Sequence, residues 1–174
     1  MSKQKTKIMD RVKLKNIQFS EWNSRETNCF MGDIFFDNKK VGQCKNDGHG
    51  GETWCYCLDN NLKDKFKELV TYCKNLPDFK YGEVSFKSNL EFVVDTLFQH
   101  WLEKKNEKSL LKDFSKGICV GTKNFYKIIE LNVRGKKIKI EEILKTEHGI
   151  TFLKKLCEEK RKEGLTILNT NLPF

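Results

Sequence analysis

Proline and long apolar runs are both scarce in this chain of 174 residues. Only two prolines occur, Pro77 and Pro173, so the sequence contains no proline-rich linker. No stretch approaches the roughly 20 consecutive apolar residues that a membrane-spanning helix needs. The polar, lysine-rich segment 1–7 is followed by neither an apolar segment nor a small-residue cleavage site. We therefore expect no secretory signal and no membrane partner.

The composition is that of a folded chain of single-domain size. Hydrophobic residues make up 38% of the chain, including thirteen Phe, three Trp and four Tyr, which is enough to build a core. A chain of this length buries roughly 70% of its unfolded surface on folding. We therefore expect a flexible N-terminal tail over 1–10 and a single α+β domain over 11–174.

The cysteine pattern does not indicate a disulfide framework. The seven cysteines are an odd number and are scattered through apolar patterns. In a reducing compartment, cysteines of this kind are buried thiols. We expect a cytoplasmic protein with free thiols at Cys29, Cys44, Cys55, Cys57, Cys73, Cys119 and Cys157.

The chain carries a formal net charge of +9, from 33 Lys and Arg against 24 Asp and Glu. This excess favours polyanionic partners, namely nucleotides, other phosphorylated small molecules or nucleic acid. Most of the excess is lysine, however, and arginine is the residue best suited to bidentate contacts with phosphate or guanine. The charge therefore permits such partners without selecting one.

Residue periodicity predicts an α+β fold. Alternation of apolar and polar residues predicts strands, and apolar residues at helical spacing predict helices. Hairpin-length connections then favour a mostly antiparallel sheet with three to four helices packed on it. The predicted strands cover 12–19, 29–36, 41–44, 53–58, 117–120, 125–133, 138–140 and 165–169. The predicted helices cover 62–76, 90–102 and 141–163, the last being continuous or broken at Gly149.

Turn and cap residues mark several boundaries of these elements. The polar segments 37–40 and 134–137 are predicted hairpin turns. Small polar residues before a helix and glycine after it are the usual caps. Helix caps are predicted at Asp59 or Asn60, at Ser88 and at Gly164, with a helix stop at Pro77.

The most informative segment is the glycine-rich loop Asn46-Asp47-Gly48-His49-Gly50-Gly51 between two predicted strands. Its three glycines allow positive φ angles and let backbone N–H groups converge on one point, a geometry that binds anions. Asp47 can bind a metal ion or a ribose hydroxyl, and His49 can pair with a phosphate. The loop is neither a Walker A sequence nor a dinucleotide fingerprint, because the residues that follow do not fit either pattern. An ordinary strand connection is the alternative.

A second polar loop, Ser24-Arg25-Glu26-Thr27, precedes the next predicted strand. Adjacent strands would carry it to the same end of the sheet as the glycine-rich loop. There Arg25 would supply positive charge, and Ser24 and Thr27 would supply hydroxyl groups. Trp54 or Tyr56 would stack on a base. A solvated polar loop is the alternative.

The sequence offers no familiar metal or catalytic pattern. Cys44, His49, Cys55 and Cys57 are zinc-type ligands, but the paired C-x2-C spacing is missing, so core cysteines are the favoured interpretation. Acidic residues are plentiful, yet none has nuclease-like spacing. We therefore expect neither a metal nor a cofactor, and binding rather than catalysis.

The segments 24–27, 30–36, 37–42 and 46–51 together form a recognisable pattern. With its Ser-x-Glu-Thr … Asn-Asp-Gly-x-Gly-Gly elements, the chain resembles small uncharacterised proteins of bacteriophages and mobile elements over roughly residues 12–58. The resemblance implies a phage-borne protein acting in the host cytoplasm, and it supplies no activity. Small phage proteins often act against host defences, so it also implies an anti-defence role.

These observations favour a non-enzymatic protein that captures a nucleotide or another phosphorylated ligand and sequesters a host immune signal. One alternative is a nucleic-acid- or protein-binding inhibitor of host defence. Another is a phosphodiesterase- or nuclease-like enzyme that uses Asp47 and His49. Homo-oligomerisation stays open. The candidate ligand-binding residues are Arg25, Thr27, Asn46, Asp47, Gly48, His49, Gly50, Gly51 and Trp54.

Overall fold

The computed structural model of the chain describes residues 10–81 and 83–174. Over these residues it is an α+β fold, as predicted, with four helices, two antiparallel sheets of four and three strands, and a two-stranded hairpin. The chain divides into two compact units, Met1–Trp101 and Leu102–Phe174. One domain over 11–174 stays a prediction. The predicted tail falls, except for Asp10, outside the described residues.

The first unit is built on a four-stranded antiparallel sheet. Its strands follow each other in both sequence and space: β1 (Val12–Ser20), β2 (Cys29–Phe36), β3 (Lys39–Asp47) and β4 (Trp54–Cys57). The turn between β2 and β3 is shorter than predicted. It consists of Asp37 and Asn38 alone, both with positive φ, and this two-residue form matches the twist of the flanking strands.

Side-chain alternation gives the sheet two different faces. The inner face carries the buried Phe30, Ile34 and Phe36 and packs against two helices. Phe30 stacks on Phe98 with ring centroids 3.8 Å apart, and Phe36 contacts Tyr72 at 5.5 Å. The outer face carries polar, charged and exposed aromatic side chains. In β1, where the sequence alternates, Val12 is buried and Lys15 is exposed, and the register shifts between Lys15 and Gln18.

The first two helices are α1 (Lys63–Lys74) and α2 (Leu90–Asp113). Asp59 caps a short 3-10 turn, Asn60–Leu62, that precedes α1, since its side chain accepts from the Asn61 N–H. The predicted cap of α2 at Ser88 is wrong, because the Asn89 side chain accepts from the Phe92 N–H at 2.7 Å. The Ser88 hydroxyl instead donates to the Pro77 carbonyl oxygen. α2 also continues beyond the predicted end at 102, because its charged second half remains helical.

A short hairpin between these helices was missed by the sequence analysis. It consists of β5 (Phe79–Tyr81) and β6 (Val84–Phe86), paired antiparallel. Strands of three residues are too short for alternation to be recognised. The hairpin places Phe79 and Phe86 against Phe92 of α2, at 4.4 and 6.2 Å between ring centroids.

The second unit contains a three-stranded sheet and two helices. The strands are β7 (Gly117–Gly121), β8 (Tyr126–Val133) and β9 (Lys136–Ile138), and the helices are α3 (Ile140–Ile143) and α4 (Glu147–Lys162). The turn before β9 consists of Arg134 and Gly135, both with positive φ. The core of the unit is formed by Ile118, Val120, Leu131, Ile140, Leu153 and Cys157.

The helical region 141–163 has two parts, and its break lies earlier than Gly149. Thr146 caps α4 by accepting from the Gly149 N–H at 3.0 Å, which places Gly149 in the first turn of the helix. Gly164 has a positive φ just after the helix, and the predicted C-terminal cap is confirmed. The predicted last strand is reduced to one bridge, Ile167 to Val120.

Within residues 10–81 and 83–174, none of the helices combines the length and the apolar character that crossing a bilayer requires.

Packing of the sheet on α1 leaves no room for a side chain at Gly42. A Cβ atom there would lie 2.7 Å from both the Phe66 ring and the Tyr56 carbonyl oxygen. We expect Gly42→Ala to lower the free energy of unfolding by about 1–3 kcal/mol, since the crowding includes backbone. Gly51→Ala is the matched control, because a Cβ atom at Gly51 has no neighbour within 4 Å. Urea denaturation measures both, and equal stabilities would contradict this packing.

Candidate functional site

The two loops singled out in the sequence lie together in the structure. The connection between β1 and β2 carries Arg25, Glu26 and Thr27, and the connection between β3 and β4 is the glycine-rich loop. The backbone N–H groups of all three residues donate to the Gly48 carbonyl oxygen, at 3.0, 3.0 and 3.3 Å. The predicted proximity of these loops is therefore confirmed.

The buried side chain of Asn46 holds the two loops in place. Its Oδ1 atom accepts from the Thr27 hydroxyl at 2.8 Å and from the Gly48 N–H at 2.9 Å. Its Nδ2 atom donates to the Gly51 carbonyl oxygen and to the Thr53 hydroxyl, both at 3.1 Å. Both ends of the amide thus have two partners, which a buried amide needs to be fully satisfied.

Three N–H groups of the glycine-rich loop already donate to protein acceptors. The Gly48 N–H donates to Asn46, the His49 N–H to the Asp47 carboxylate at 3.1 Å, and the Gly50 N–H to the Thr27 hydroxyl at 3.3 Å. Gly48 and Gly50 both have positive φ, which explains why glycine is needed there. An anion held by these amides would have to replace existing hydrogen bonds. Their role in ligand binding stays a prediction.

A hydrogen-bonded chain connects the loop to α2. The Thr53 hydroxyl accepts from Asn46 and donates to the Asp95 carboxylate at 2.5 Å. Thr53 is 2% exposed, so its hydroxyl depends on these two partners. Although Asp95 as a whole residue is exposed, desolvation of its carboxyl raises its pKa; the Thr53 hydrogen bond opposes this shift and the charge of Glu91 adds to it.

A pocket of about 680 Å³ opens beside this chain, and we call it the aromatic pocket. This volume is within the range of small-molecule sites. Its polar residues come from the two loops and from one face of α2: Glu26, Thr27, Asn28, Asn46, Gly51, Glu52, Thr53, Asp95, Thr96 and Gln99. Its aromatic residues come from β2, the short hairpin and α2: Phe30, Phe79, Phe86, Phe92 and Phe98.

The charge of the aromatic pocket is opposite to that of the whole chain. Its lining includes the carboxylates of Glu26, Glu52 and Asp95 and, among the described residues, no lysine or arginine. Glu26 lies directly over the loop, since a Cβ atom on Gly50 would meet its carboxylate oxygen at 2.3 Å. A group bound deep in this pocket is therefore favoured if it donates hydrogen bonds, and disfavoured if it is an anion.

The structure disperses some of the predicted site residues. Thr27, Asn46 and Gly51 line the aromatic pocket, whereas Trp54 lies on the outer face of the sheet beside a smaller depression of about 260 Å³. Arg25 is exposed and does not line either cavity. His49 Nδ1 lies 3.7 Å from Asp47 Oδ1, with both side chains exposed.

Several pocket residues were missed by the sequence analysis although one signal was present. Phe92, Asp95, Thr96 and Gln99 have the i, i+3, i+4, i+7 spacing of one helix face. The sequence analysis read only the apolar face of this helix. The phenylalanines of the missed hairpin offered no comparable signal, because their position depends on tertiary packing.

The cysteines do not form a recognisable metal site. Cys44 and Cys55 are opposite each other on β3 and β4 and share the inner face, while His49 is exposed. Burial raises the pKa of the Cys44 thiol to about 12, which suits a core thiol and not a nucleophile. Over residues 10–81 and 83–174, no group of three or more His, Cys, Asp or Glu side chains could hold a metal ion.

Comparison with known proteins gives no relative from which the role of this site could be inferred. No family model, curated protein or solved structure matches the chain. The geometry of the two loops and of the aromatic pocket therefore carries the functional argument.

The hydrogen bonds of Asn46 predict a large effect of its removal. Asn46→Ala deprives Gly48, Thr27 and Thr53 of partners in a buried setting, where each loss costs about 1–3 kcal/mol. We expect a loss of about 3 kcal/mol in the free energy of unfolding, measured by urea denaturation. The neighbouring Asp47→Ala is the control, since Asp47 is exposed and accepts one loop N–H. Similar losses in the two variants would contradict the structural role of Asn46.

Proposed function

We propose that this protein captures a nucleotide or nucleoside by its base, in the aromatic pocket, without converting it. The observation that carries the proposal is the combination of stacked phenylalanines and carboxylates around one cavity of nucleotide size. A purine is a planar ring with hydrogen-bond donors at its edge. The phenylalanines of this cavity can stack on the ring, and the carboxylates can accept from the donors.

The apolar part of the pocket suits a flat ring. Phe79, Phe86 and Phe92 lie on one side, and Phe86 remains 46% exposed, so its ring has surface left to cover. Offset or edge-to-face contact between aromatic rings stabilises a complex by more than the buried area alone would. Stacking of a base on an aromatic side chain is worth about 1–3 kcal/mol.

The polar part of the pocket favours bases that donate hydrogen bonds. When ionised, the carboxylates of Glu26, Glu52 and Asp95 accept hydrogen bonds and donate none. The Gln99 side chain offers both a donor and an acceptor. Guanine carries adjacent N1–H and N2–H donors that match one carboxylate. Uracil carries a single N–H between two carbonyl oxygens, which ionised carboxylates would repel. Guanine is therefore the base that this proposal favours.

We assign the pocket to binding because its carboxylates suit the donors at the edge of a base. Among its described residues the pocket contains no cysteine, histidine, serine or lysine, although carboxylates and threonine hydroxyls also act as nucleophiles in enzymes. The carboxylates also place any phosphate of the ligand outside the pocket, with Arg25 next to the pocket residue Glu26 as the candidate cation. Capture of this kind would sequester a nucleotide, and the resemblance to bacteriophage proteins makes host immune signals the class to examine first.

Calorimetry tests the proposal directly. Purified protein is titrated with linear and cyclic guanine, adenine and uracil nucleotides and with guanosine. We expect guanine ligands to bind at least tenfold more tightly than uracil ligands, because one charge-assisted hydrogen-bond pair is worth about 1.4 kcal/mol or more. Absence of binding to every member of the series would refute the proposal. Recovery of cleaved ligand would refute capture without conversion.

Charge-neutral variants locate the site. Asp95→Asn and Glu52→Gln keep the side-chain shape and remove one acceptor each, so each should weaken guanosine binding about tenfold. Phe86→Ala should do the same through lost stacking. Glu107→Gln makes the same charge change in the same helix outside the pocket and should leave the affinity unchanged. Equal effects of Asp95→Asn and Glu107→Gln would place the ligand elsewhere.

An enzyme is the second candidate, favoured by the contact between Asp47 and His49. Both side chains are accessible, and a histidine next to a carboxylate is an arrangement used in general acid–base catalysis. In that case phosphodiester turnover would be abolished by Asp47→Asn or His49→Ala and unaffected by Asp95→Asn.

A further inference from the structure

The outer face of the four-stranded sheet contains a row of exposed aromatic side chains. Trp54 and Tyr56 are two residues apart on β4, so both side chains lie on this face, and they are 76% and 44% exposed. Met31, directly across β3, is 38% exposed. Large side chains in solvent are common singly, but a contiguous group on one sheet face indicates a binding surface.

The spacing of the two rings fits successive bases of one strand. Residues two apart on a strand are separated by roughly 6.8 Å. The Tyr56 ring is also fixed in place, because its hydroxyl donates to the Gln43 side chain at 3.1 Å. A pre-positioned pair of rings is a stacking platform for bases that are not covered by a partner strand.

Lysines lie on the same face as the rings, one beside them on β3 and two across the sheet on β1. Lys45 is directly opposite Trp54 in the register of β3 and β4, and Lys15 and Lys13 follow on β1. Lys15 lies over the Phe35 ring at 4.3 Å, which keeps its charge on this face. The face thus combines exposed rings with cations, as polyanion-binding surfaces do, and the carboxylates of Asp47 and Glu52 border the depression beside the rings.

The buried acid of this face is neutralised by its neighbours. Asp33 accepts from Lys40 at 2.8 Å, from Asn16 at 2.8 Å and from Gln43 at 2.9 Å. Desolvation alone would raise its pKa, but these hydrogen bonds, with the charge of Lys40, lower the pKa to about 2. The Asp33 charge is therefore already matched by Lys40 and does not oppose an anion on the remaining lysines.

We infer that this outer face binds single-stranded nucleic acid, with Trp54 and Tyr56 stacking on successive bases and Lys45, Lys15 and Lys13 contacting phosphates. Trp54 and Tyr56 do not line the aromatic pocket, although Gly51 and Glu52 border both cavities. A duplex is disfavoured, because its base faces are covered by stacking and cannot reach the two rings.

Fluorescence anisotropy with a labelled 12-nucleotide oligo(dT), oligo(rU) and a 12-base-pair duplex provides the test. We expect the single strands to bind at least tenfold more tightly than the duplex. With about three phosphates contacted, the logarithm of affinity should fall with the logarithm of salt concentration at a slope of about −2. Equal affinity for the duplex, or no binding at low salt, would overturn the inference.

Matched variants separate stacking from charge. Trp54→Ala should weaken single-strand binding about tenfold and Trp54→Phe should largely restore it, because a ring remains for stacking. Trp22→Ala removes a tryptophan that is even more exposed, in the loop between β1 and β2, and should have no effect. Lys45→Ala should reduce the salt slope by about 0.7.

Two further results would decide against this assignment. Equal weakening by Trp54→Ala and Trp22→Ala would show that no specific platform exists. Sedimentation showing an oligomer that Trp54→Ala dissociates would identify a second copy of the chain as the occupant. The pocket variant Asp95→Asn should bind the oligonucleotides normally, so this test can fail or succeed independently of the proposed function.

Discussion

The amide of Asn46 is the interaction on which the architecture of the candidate site depends. It is buried at the end of β3, and its four hydrogen bonds connect the glycine-rich loop, the loop before β2 and Thr53. Through Thr53 the connection continues to Asp95 on α2. One side chain therefore fixes the spacing between the sheet and the helix along one wall of the aromatic pocket.

This arrangement changes the interpretation of the glycine-rich loop. Glycine is required at Gly48 and Gly50 by positive φ, and at Gly48 also by the Asn23 carbonyl oxygen, which a Cβ atom would meet at 2.3 Å. The N–H groups of Gly48, His49 and Gly50 already form hydrogen bonds that hold the loop itself. In the proposed function the loop is a wall of the pocket, and the recognition groups are the carboxylates and rings that it helps to place.

Charge is distributed unevenly over the first unit, and this distinguishes its two proposed sites. The described lining of the inner pocket has carboxylates and no lysine or arginine, whereas the outer face presents Lys45 beside the exposed rings, with Glu52 bordering both cavities. A net charge of +9 therefore describes neither site. Local charge decides which chemical group each surface accepts, because screening in water confines electrostatic effects to about 10 Å at moderate salt.

Much of the fold could be predicted from the sequence, because its main causes are local. Alternation along 12–19 and the strand-like segment 29–36 identified two strands, since the period of a strand is fixed by backbone geometry. Gly164 was recognised as a helix cap because the residue after a helix often needs a positive φ, which glycine adopts easily. Errors arose where competing partners decide the outcome. Serine is a common cap residue, but the Asn89 side chain accepts from the N–H of the helix. The Ser88 hydroxyl donates to the Pro77 carbonyl oxygen instead.

The same contrast between local causes and tertiary contacts is clearer in the candidate site. The sequence by itself determined that the two loops were polar, that glycine was needed between β3 and β4, and that adjacent strands would bring the loops together. Only the tertiary structure decided which loop amides already had acceptors, and that Phe86, Thr53 and Asp95 share one cavity. Those facts depend on contacts between residues far apart in the chain, such as Thr53 with Asp95, and local periodicity contains no information about such pairs.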